Sequence, residues 1–239
     1  MNTYDINSNQ YILEKLIGKA LLDAAMWTNK KCTPWKPQEP DYVAMLSTKF
    51  VKDFFNVLVA VFPHYDFSIV GVYCHQKPIV DIKEAKKPEL GDILFVYADR
   101  KRKGEMVLNS LLLQAKISKN PWLHVHQSER HQLKLYKNWP QFTYCRAGNL
   151  NGKMRNIFPK TINDGAQYLL IADNLLANGF FAGNRMFPMG CAIPDDILYI
   201  NDSLSSELIN LLKFKSGRTF DSDLYSTEDG WSKMIWDLL

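Results

Sequence analysis

The segment NSLLLQAKIS, residues 109–118, ends an apolar run with two polar side chains that are two residues apart. Side chains alternate between the two faces of an extended strand, so Gln114 and Lys116 lie on the same face. An ordinary buried strand would continue with leucine or valine at these two positions. We therefore interpret the segment as a strand that brings an amide and an amine to one point.

A second apolar run, GDILFVYAD at residues 91–99, is the expected antiparallel neighbour of this strand. If Asp92 stands opposite Gln114 or Lys116 in a hairpin, the midpoint of that hairpin falls at Lys103–Gly104. The segment DRKRKGE, at residues 99–105, supplies turn-forming residues at that midpoint. The register therefore predicts that Asp92, Gln114 and Lys116 converge.

These three side chains are suited to a magnesium site. A hard cation takes oxygen ligands, and the Asp92 carboxylate and the Gln114 side-chain oxygen supply two, while water and a substrate phosphate supply the others. Lys116 would then lie beside the attacking water and would position or deprotonate it, while the metal offsets charge on the phosphate oxygens. The predicted reaction is hydrolysis of a phosphodiester bond.

Two motifs carry a resemblance to a known family. The segment PELGD (88–92), followed by QAK (114–116), resembles the PD-(D/E)xK nuclease superfamily in its variant with glutamine in place of the acidic residue. Downstream, QLKLY (132–136) is similar to the QxxxY motif of the RecB-type branch, on the helix that follows the catalytic hairpin. The resemblance implies a restriction-endonuclease-like α/β fold, a mixed sheet flanked by helices, and a context of prokaryotic restriction or antiviral defence.

The resemblance also implies roles for the residues of the hairpin. Asp92 and Gln114 would ligate Mg²⁺ or Mn²⁺, the backbone carbonyl of Ala115 would add a ligand, and Lys116 would be catalytic. Because glutamine carries no charge, Gln114 is expected to weaken cation affinity relative to an acidic residue. The alternative to an active nuclease is therefore a catalytically inactive, nuclease-like subunit that binds nucleic acid or protein.

Supporting residues are expected outside the hairpin. Gln132 and Tyr136 are one helical turn apart, and the resemblance implies that they support the site or contact substrate. A further carboxylate from the first helix is common in the family, and Glu14 is the nearest candidate, with a solvated surface position as its alternative. Glu84 and Glu89 precede Asp92, but nothing in their spacing selects either of them.

A histidine-based metal site is the third option. His124 and His126 alternate in HVHQSERH (124–131), with His131 nearby, and alternating histidines can bind zinc or iron. No further ligand follows at a recognisable spacing, so these histidines are expected to be surface groups or to contact substrate.

Composition favours a single globular domain, since 46% of the 239 residues are apolar and 23% are charged. We expect one nuclease-like domain over residues 1–239, with a catalytic core at about 67–175, helices before it and a helical closure after it. The four cysteines form no CxxC pair, the start lacks a signal-peptide pattern, and no apolar run approaches about 18 residues. The expected location is therefore cytoplasmic, with no membrane partner.

The expected partners are a nucleic acid, with DNA favoured over RNA, and a regulatory or sensor protein or a second copy of the chain. The formal charge of +4 is compatible with a phosphate-bearing partner but does not by itself identify one. A controlling partner is expected because the chain contains no recognisable sensor, ATPase or sequence-reading module.

Periodicity and breaker residues predict the elements along the chain. Helices are expected at 8–27, 46–62, 128–139, 205–214 and 227–239; strands at 67–74, 78–82, 91–99, 106–118 and 166–173; and loops at 32–40 and 180–194.

Overall fold

A computed structural model describes residues 1–100, 106–160, 165–173, 179–182, 185–224 and 228–239. The helices are α1 (Thr3–Ser8), α2 (Gln10–Cys32), α3 (Glu39–Met45), α4 (Val51–Val61), α5 (Arg130–Asn138), α6 (Leu204–Leu212) and α7 (Gly230–Leu238), with a π-helical turn at Leu46–Phe50 and 3-10 turns at Gln127–Glu129 and Gly148–Leu150. The strands are β1 (Val72–Tyr73), β2 (Ile79–Asp81), β3 (Ile93–Arg100), β4 (Met106–Ser118), β5 (Trp122–His124), β6 (Phe142–Arg146), β7 (Met154–Arg155), β8 (Ala166–Ala172), β9 (Phe180–Ala182), β10 (Arg185–Phe187), β11 (Met189–Ala192), β12 (Ile197–Ser203) and β13 (Arg218–Phe220).

Strands β3 and β4 form the antiparallel pair that the apolar runs predict. Ile93 pairs with Leu113, so the next position in this register sets Asp92 beside Gln114. The backbone N–H of Asp92 donates to the carbonyl of Leu113 at 2.9 Å, which continues the pairing past the end of β3. The predicted register is confirmed, and the predicted turn at Lys103–Gly104 lies outside the described residues.

Strand β4 is central to the main sheet. The sheet has the order β1-β3-β4-β8-β11-β12-β5, with β13 also paired to β4, and β4 and β8 run parallel while the other pairs are antiparallel. Strands β2, β6 and β7 form a separate sheet. The predicted α/β class, a mixed sheet flanked by helices, is confirmed, and it is consistent with a restriction-endonuclease-like fold.

The strand predictions are wrong at residues 67–74 and 180–194, and strands β6 and β12 lie in segments where the sequence predicts no strand. Residues 180–194, expected to be an irregular loop, contain β9, β10 and β11, and all four residues of β11 are buried inside the main sheet. A short apolar strand buried on both faces has no polar alternation by which it can be recognised. Conversely, only Val72–Tyr73 of the run 67–74 forms a strand, and residues 79–81 pair in the second sheet.

Proline explains both differences among the N-terminal helices. Helix α2 continues past the expected end at residue 27 to Cys32, because Pro34 is the first residue that cannot extend the helix. The loop therefore covers only residues 33–38 of the expected 32–40. The next helix begins at Glu39, since Pro40 is tolerated in a first turn, where its missing N–H is not needed. The Asp41 carboxylate accepts the Gln38 N–H at 2.8 Å and caps this helix.

The helices form a layer against the sheet. The stripe on α2 that the sequence predicts is buried, and α2 packs on α4 and α6, while α3 and α6 contact β4. The two closing helices are also present, as α6 and α7. Within the described residues, no helix combines the length and the apolar character needed to cross a bilayer.

Two close approaches of the backbone require glycine. A Cβ added at Gly71 would lie 2.2 Å from the carbonyl oxygen of Ser47 in the π-helical turn. A Cβ at Gly91 would lie 2.6 Å from Leu112 and 2.9 Å from the hydroxyl of Tyr136. Gly71 precedes β1 and Gly91 precedes Asp92, so both glycines set the path of segments that carry the residues described next.

Candidate functional site

The Asp92 carboxylate lies at the end of the hairpin and is 1% exposed. Its Oδ2 accepts a hydrogen bond from the backbone N–H of Ala115 at 2.7 Å and another from the side-chain amide of Gln114. Because both donors lie on β4, the strand register alone brings them to the carboxylate. Of the predicted convergence of Asp92, Gln114 and Lys116, the contact between Asp92 and Gln114 is present. The Lys116 amine instead pairs with Glu129 and Glu39.

The Gln114 amide is oriented differently from the expectation. Its nitrogen, rather than its oxygen, faces Asp92, since an anionic carboxylate attracts a donor. The Oε1 atom is buried and has no hydrogen-bond partner among the residues that the structure describes. Such an orphaned buried acceptor is costly, and a cation or a donor from outside the chain would satisfy it.

His75 joins the site from the segment after β1. Its Nδ1 lies 2.6 Å from Asp92 Oδ1 and 3.4 Å from Glu89 Oε2, and ligand atoms of all three residues lie within 4.8 Å of one another. The N–H of Cys74 donates to the carbonyl of Asp92 at 2.8 Å and ties this segment to the hairpin. Sequence reasoning missed His75, which stands in a non-periodic segment, and the spacing of Glu89 from Asp92 does not by itself select that residue.

Burial governs the acidity of Asp92. Removal from water raises the pKa of its carboxyl to about 6, although hydrogen bonds from His75 and the Ala115 N–H lower that pKa, and the nearby Glu89 raises it further. A carboxylate that is buried and yet ionised near neutral pH destabilises the fold. Perturbed carboxyl groups of this kind are common at functional sites.

Lys116 is held between two carboxylates. Its Nζ lies 2.5 Å from Glu129 Oε1, just before α5, and 3.8 Å from Glu39 Oε2. Burial alone would lower the pKa of Lys116, but Glu39 and Glu129 outweigh that effect, so the pKa lies above its ordinary value. The side chain is therefore an ammonium ion at neutral pH, suited to contacting an anion and not to accepting a proton.

The carboxylate that the helical layer contributes comes from Glu39. Its Oε1 accepts the backbone N–H of Ile117 at 3.1 Å, so the start of α3 is fixed to the end of β4. Glu14, the expected candidate, instead accepts a hydrogen bond from Ser206 at 3.4 Å and lies near Asp202. Glu39 was missed because the proline-rich segment before it was interpreted as a loop through residue 40.

Helix α5 supports the site from behind. The Tyr136 hydroxyl donates to the carbonyl of Leu90 at 2.9 Å, and its fully buried ring stacks on Trp139 at 5.7 Å. Gln132, one turn earlier, is 6% exposed, and its Nε2 has no partner within the described part of the chain. Of the two expected roles, burial favours support of the site over contact with substrate.

The histidines of the third option do not form a cluster. His124 ends β5 and packs edge-on against Trp122, whereas His126 precedes a 3-10 turn and accepts the Ser128 N–H at 3.2 Å. Among the described residues, the group with the spacing of a metal site is His75, Glu89 and Asp92.

No protein-family model matches the chain, and no significant similarity to a curated protein or to a solved structure was found. A functional assignment for this protein therefore depends on its motifs and on the geometry described above.

Proposed function

We propose that this protein is a metal-dependent nuclease of the PD-(D/E)xK type, which hydrolyses phosphodiester bonds of DNA or RNA. The observation that carries the proposal is the buried Asp92 carboxylate, which is surrounded by Gln114, His75 and Glu89. Lys116 lies two residues beyond Gln114 on the same face of β4. This combination of acid, amide and ammonium matches the chemistry that the sequence motifs imply.

The donor set fits a divalent cation. Asp92 and Glu89 offer carboxylate oxygens, His75 offers an imidazole nitrogen, and the orphaned Oε1 of Gln114 offers an amide oxygen after rotation of its terminal amide. Carboxylate and amide oxygens suit both Mg²⁺ and Mn²⁺, so Asp92, Glu89 and Gln114 would hold either ion. When bound, the ion would supply Lewis-acid stabilisation of the phosphate and lower the pKa of a water nucleophile.

The chain's own groups have separate tasks in this proposal. Lys116, as an ammonium ion, would donate hydrogen bonds to a non-bridging phosphate oxygen and thus stabilise charge that develops there. Glu129 and Glu39 would keep that ammonium ion charged and oriented until the phosphate arrives. Tyr136 would fix the Leu90 carbonyl, and through it the segment that ends at Asp92.

The biological setting follows from the motifs and remains a prediction. The QxK variant resembles that of prokaryotic restriction and antiviral-defence nucleases and so supports a role in prokaryotic defence. The expected location is cytoplasmic, and the expected substrate is DNA in preference to RNA. A regulatory or sensor protein, or a second copy of the chain, would control it, since an unregulated nuclease would damage the host. Co-purification that yields a solitary, constitutively active monomer would contradict this expectation.

Incubation of purified protein with DNA and with RNA tests the activity. We expect cleavage in the presence of Mg²⁺ or Mn²⁺, because the metal offsets negative charge at a site rich in carboxylates. EDTA should abolish cleavage, and added metal should restore it. Absence of cleavage of either substrate under all these conditions, including with a co-purified partner, would refute the proposal.

The second candidate function is a nuclease-like subunit that binds without cleaving. It is favoured by one observation: His75 and Gln114 already hydrogen-bond to Asp92, so the carboxylate has partners without a metal. Titration calorimetry with Mn²⁺ distinguishes the two. An active site should bind Mn²⁺ measurably, and His75→Ala and Asp92→Ala should each weaken that binding at least tenfold, whereas negligible binding in all three proteins supports the non-catalytic subunit.

A further inference from the structure

The segment from Lys30 to Lys36, which joins α2 to the loop before α3, combines basic and aromatic side chains. Lys30 and Lys31 are exposed at the end of α2, and Trp35 is 81% exposed in the loop. Residues 24–38 contain three lysines and no acidic residue. An exposed tryptophan flanked by lysines is the combination that contacts bases and phosphates in proteins that bind single-stranded nucleic acid.

The loop is anchored rather than loosely attached. The N–H of Trp35 donates to the carbonyl of Cys32 at 2.7 Å, and Pro34 and Pro37 restrict the backbone on both sides. Lys36 forms an ion pair with Asp173, which follows β8. Trp35 is therefore presented to solvent by a restrained backbone, which lowers the entropic cost of binding a ligand.

The same loop borders the candidate site. An open cavity of about 340 Å³ lies between the loop and the strand ends, and its lining includes Lys36, Glu39, Ile117 and Asp173. Its volume falls within the usual range for ligand clefts, about 300–1,000 Å³. Glu39, which lines this cavity, also contacts Lys116 and accepts the N–H of Ile117, so the cavity shares a residue with the candidate site.

We infer that the segment Lys30–Lys36 binds the substrate strand as unpaired nucleic acid, with Trp35 stacking on a base and Lys30 and Lys31 contacting phosphates. The inference builds on the proposed function by naming a single-stranded substrate region. An unpaired strand is required because a base inside a duplex has both faces covered by its neighbours, so an exposed indole cannot stack on it. Trp27, beneath the Lys31 amine at 5.2 Å, would extend the same surface along α2.

Binding is tested separately from cleavage. Fluorescence anisotropy with a labelled oligothymidine of about 15 nucleotides, and with the corresponding duplex, is measured in EDTA and again in Ca²⁺. We expect the unpaired strand to bind more tightly than the duplex, and Trp35→Ala to weaken its binding about tenfold, as expected for loss of one stacked base. Trp35→Phe should retain most of the affinity, because a phenyl ring still stacks.

Matched controls separate stacking from general effects. Trp122→Ala removes a tryptophan that is 40% exposed on β5, and it should leave the affinity within about twofold of wild type. Replacing Lys30 and Lys31 together with alanine should reduce the slope of log affinity against log salt by about 1.4, the value for two phosphate contacts on a single strand.

Three outcomes would overturn the inference. The first is that the unpaired strand does not bind in either buffer, and the second is that Trp35→Ala binds it with unchanged affinity. The third is that duplex and unpaired strand bind wild type equally tightly and that Trp35→Ala weakens both equally. If the protein lacks nuclease activity but Trp35→Ala still weakens binding of the unpaired strand, the proposed catalysis is wrong and the proposed binding surface stands. If the protein cleaves nucleic acid but Trp35→Ala binds the unpaired strand as wild type does, only the proposed binding surface is wrong.

Discussion

Lys116→Ala is expected to lower the rate of metal-dependent cleavage about 10²–10³-fold, the usual cost of removing one charge-stabilising donor. The loss has a second cause here, since Glu39 and Glu129 both pair with this ammonium ion and would be left to repel the phosphate. Single-turnover cleavage rates at saturating Mn²⁺ measure the effect. Mn²⁺ affinity, measured by calorimetry, should not fall, because the lysine is not a ligand.

Lys119→Ala is the control for this change. Lys119 is exposed and lies just beyond the end of β4, so its loss changes the net charge equally without removing a group held between Glu39 and Glu129. Its cleavage rate should stay within about threefold of wild type. If both variants cleave at the wild-type rate while their melting temperatures are unchanged, Lys116 has no catalytic role.

Asp92→Asn is expected to stabilise the metal-free protein at pH 8 by about 3 kcal/mol, while abolishing metal binding. The folded-state pKa of about 6 exceeds the ordinary value of 3.8 by about two units, and each unit corresponds to about 1.36 kcal/mol. The asparagine oxygen can accept from Gln114 and Ala115, and its amide can donate to His75, so each observed hydrogen bond has a replacement.

The pH dependence of stability identifies the cause. Because folding raises the pKa of Asp92, the folded state binds this proton more tightly than the unfolded state does. The contribution of Asp92 to the free energy of unfolding is therefore most favourable below about pH 3.8 and is lost as the pH rises through about 6. Urea unfolding in EDTA should therefore show the advantage of Asp92→Asn growing from about pH 4 to pH 6 and then levelling. A variant that is less stable than wild type at every pH would make Asp92 a structural residue.

Asp81→Asn provides the matched control for that measurement. Asp81 ends β2 at a partly exposed position, and the backbone N–H of Lys83 and the amine of Lys87 lower its pKa. Removing its charge should therefore leave the stability at pH 8 unchanged or slightly reduced, the opposite direction to Asp92→Asn. Mn²⁺ should raise the melting temperature of Asp81→Asn and of wild type but not that of Asp92→Asn.

The hairpin and its polar pair could be predicted because their information is local. Alternation along residues 109–118 places Gln114 and Lys116 on one face. The register expected from the sequence aligns Asp92 with Gln114, and the pairing of β3 with β4 has that register. The helix carrying Tyr136 was predicted for the same reason, since its apolar face repeats with helical period. These patterns reflect backbone dihedral angles and the partition of side chains between core and solvent.

The rest of the site is contributed by segments that are distant in the sequence. His75 comes from beyond a two-residue strand, and Glu39 from a helix start hidden among prolines. Glu129 reaches Lys116 only because the chain returns after β5 toward the end of β4. Neither periodicity nor spacing encodes such meetings, because they depend on how whole layers pack.

The sequence by itself determined the strand register, the shared face of the amide and the amine, and the fold class. The tertiary structure decided which groups surround them, which way the Gln114 amide is turned, and how far burial raises the pKa of Asp92. The physical reason is that backbone conformation responds to neighbouring residues in the chain, whereas desolvation and ion pairing respond to every residue that packs nearby, whatever its position in the sequence.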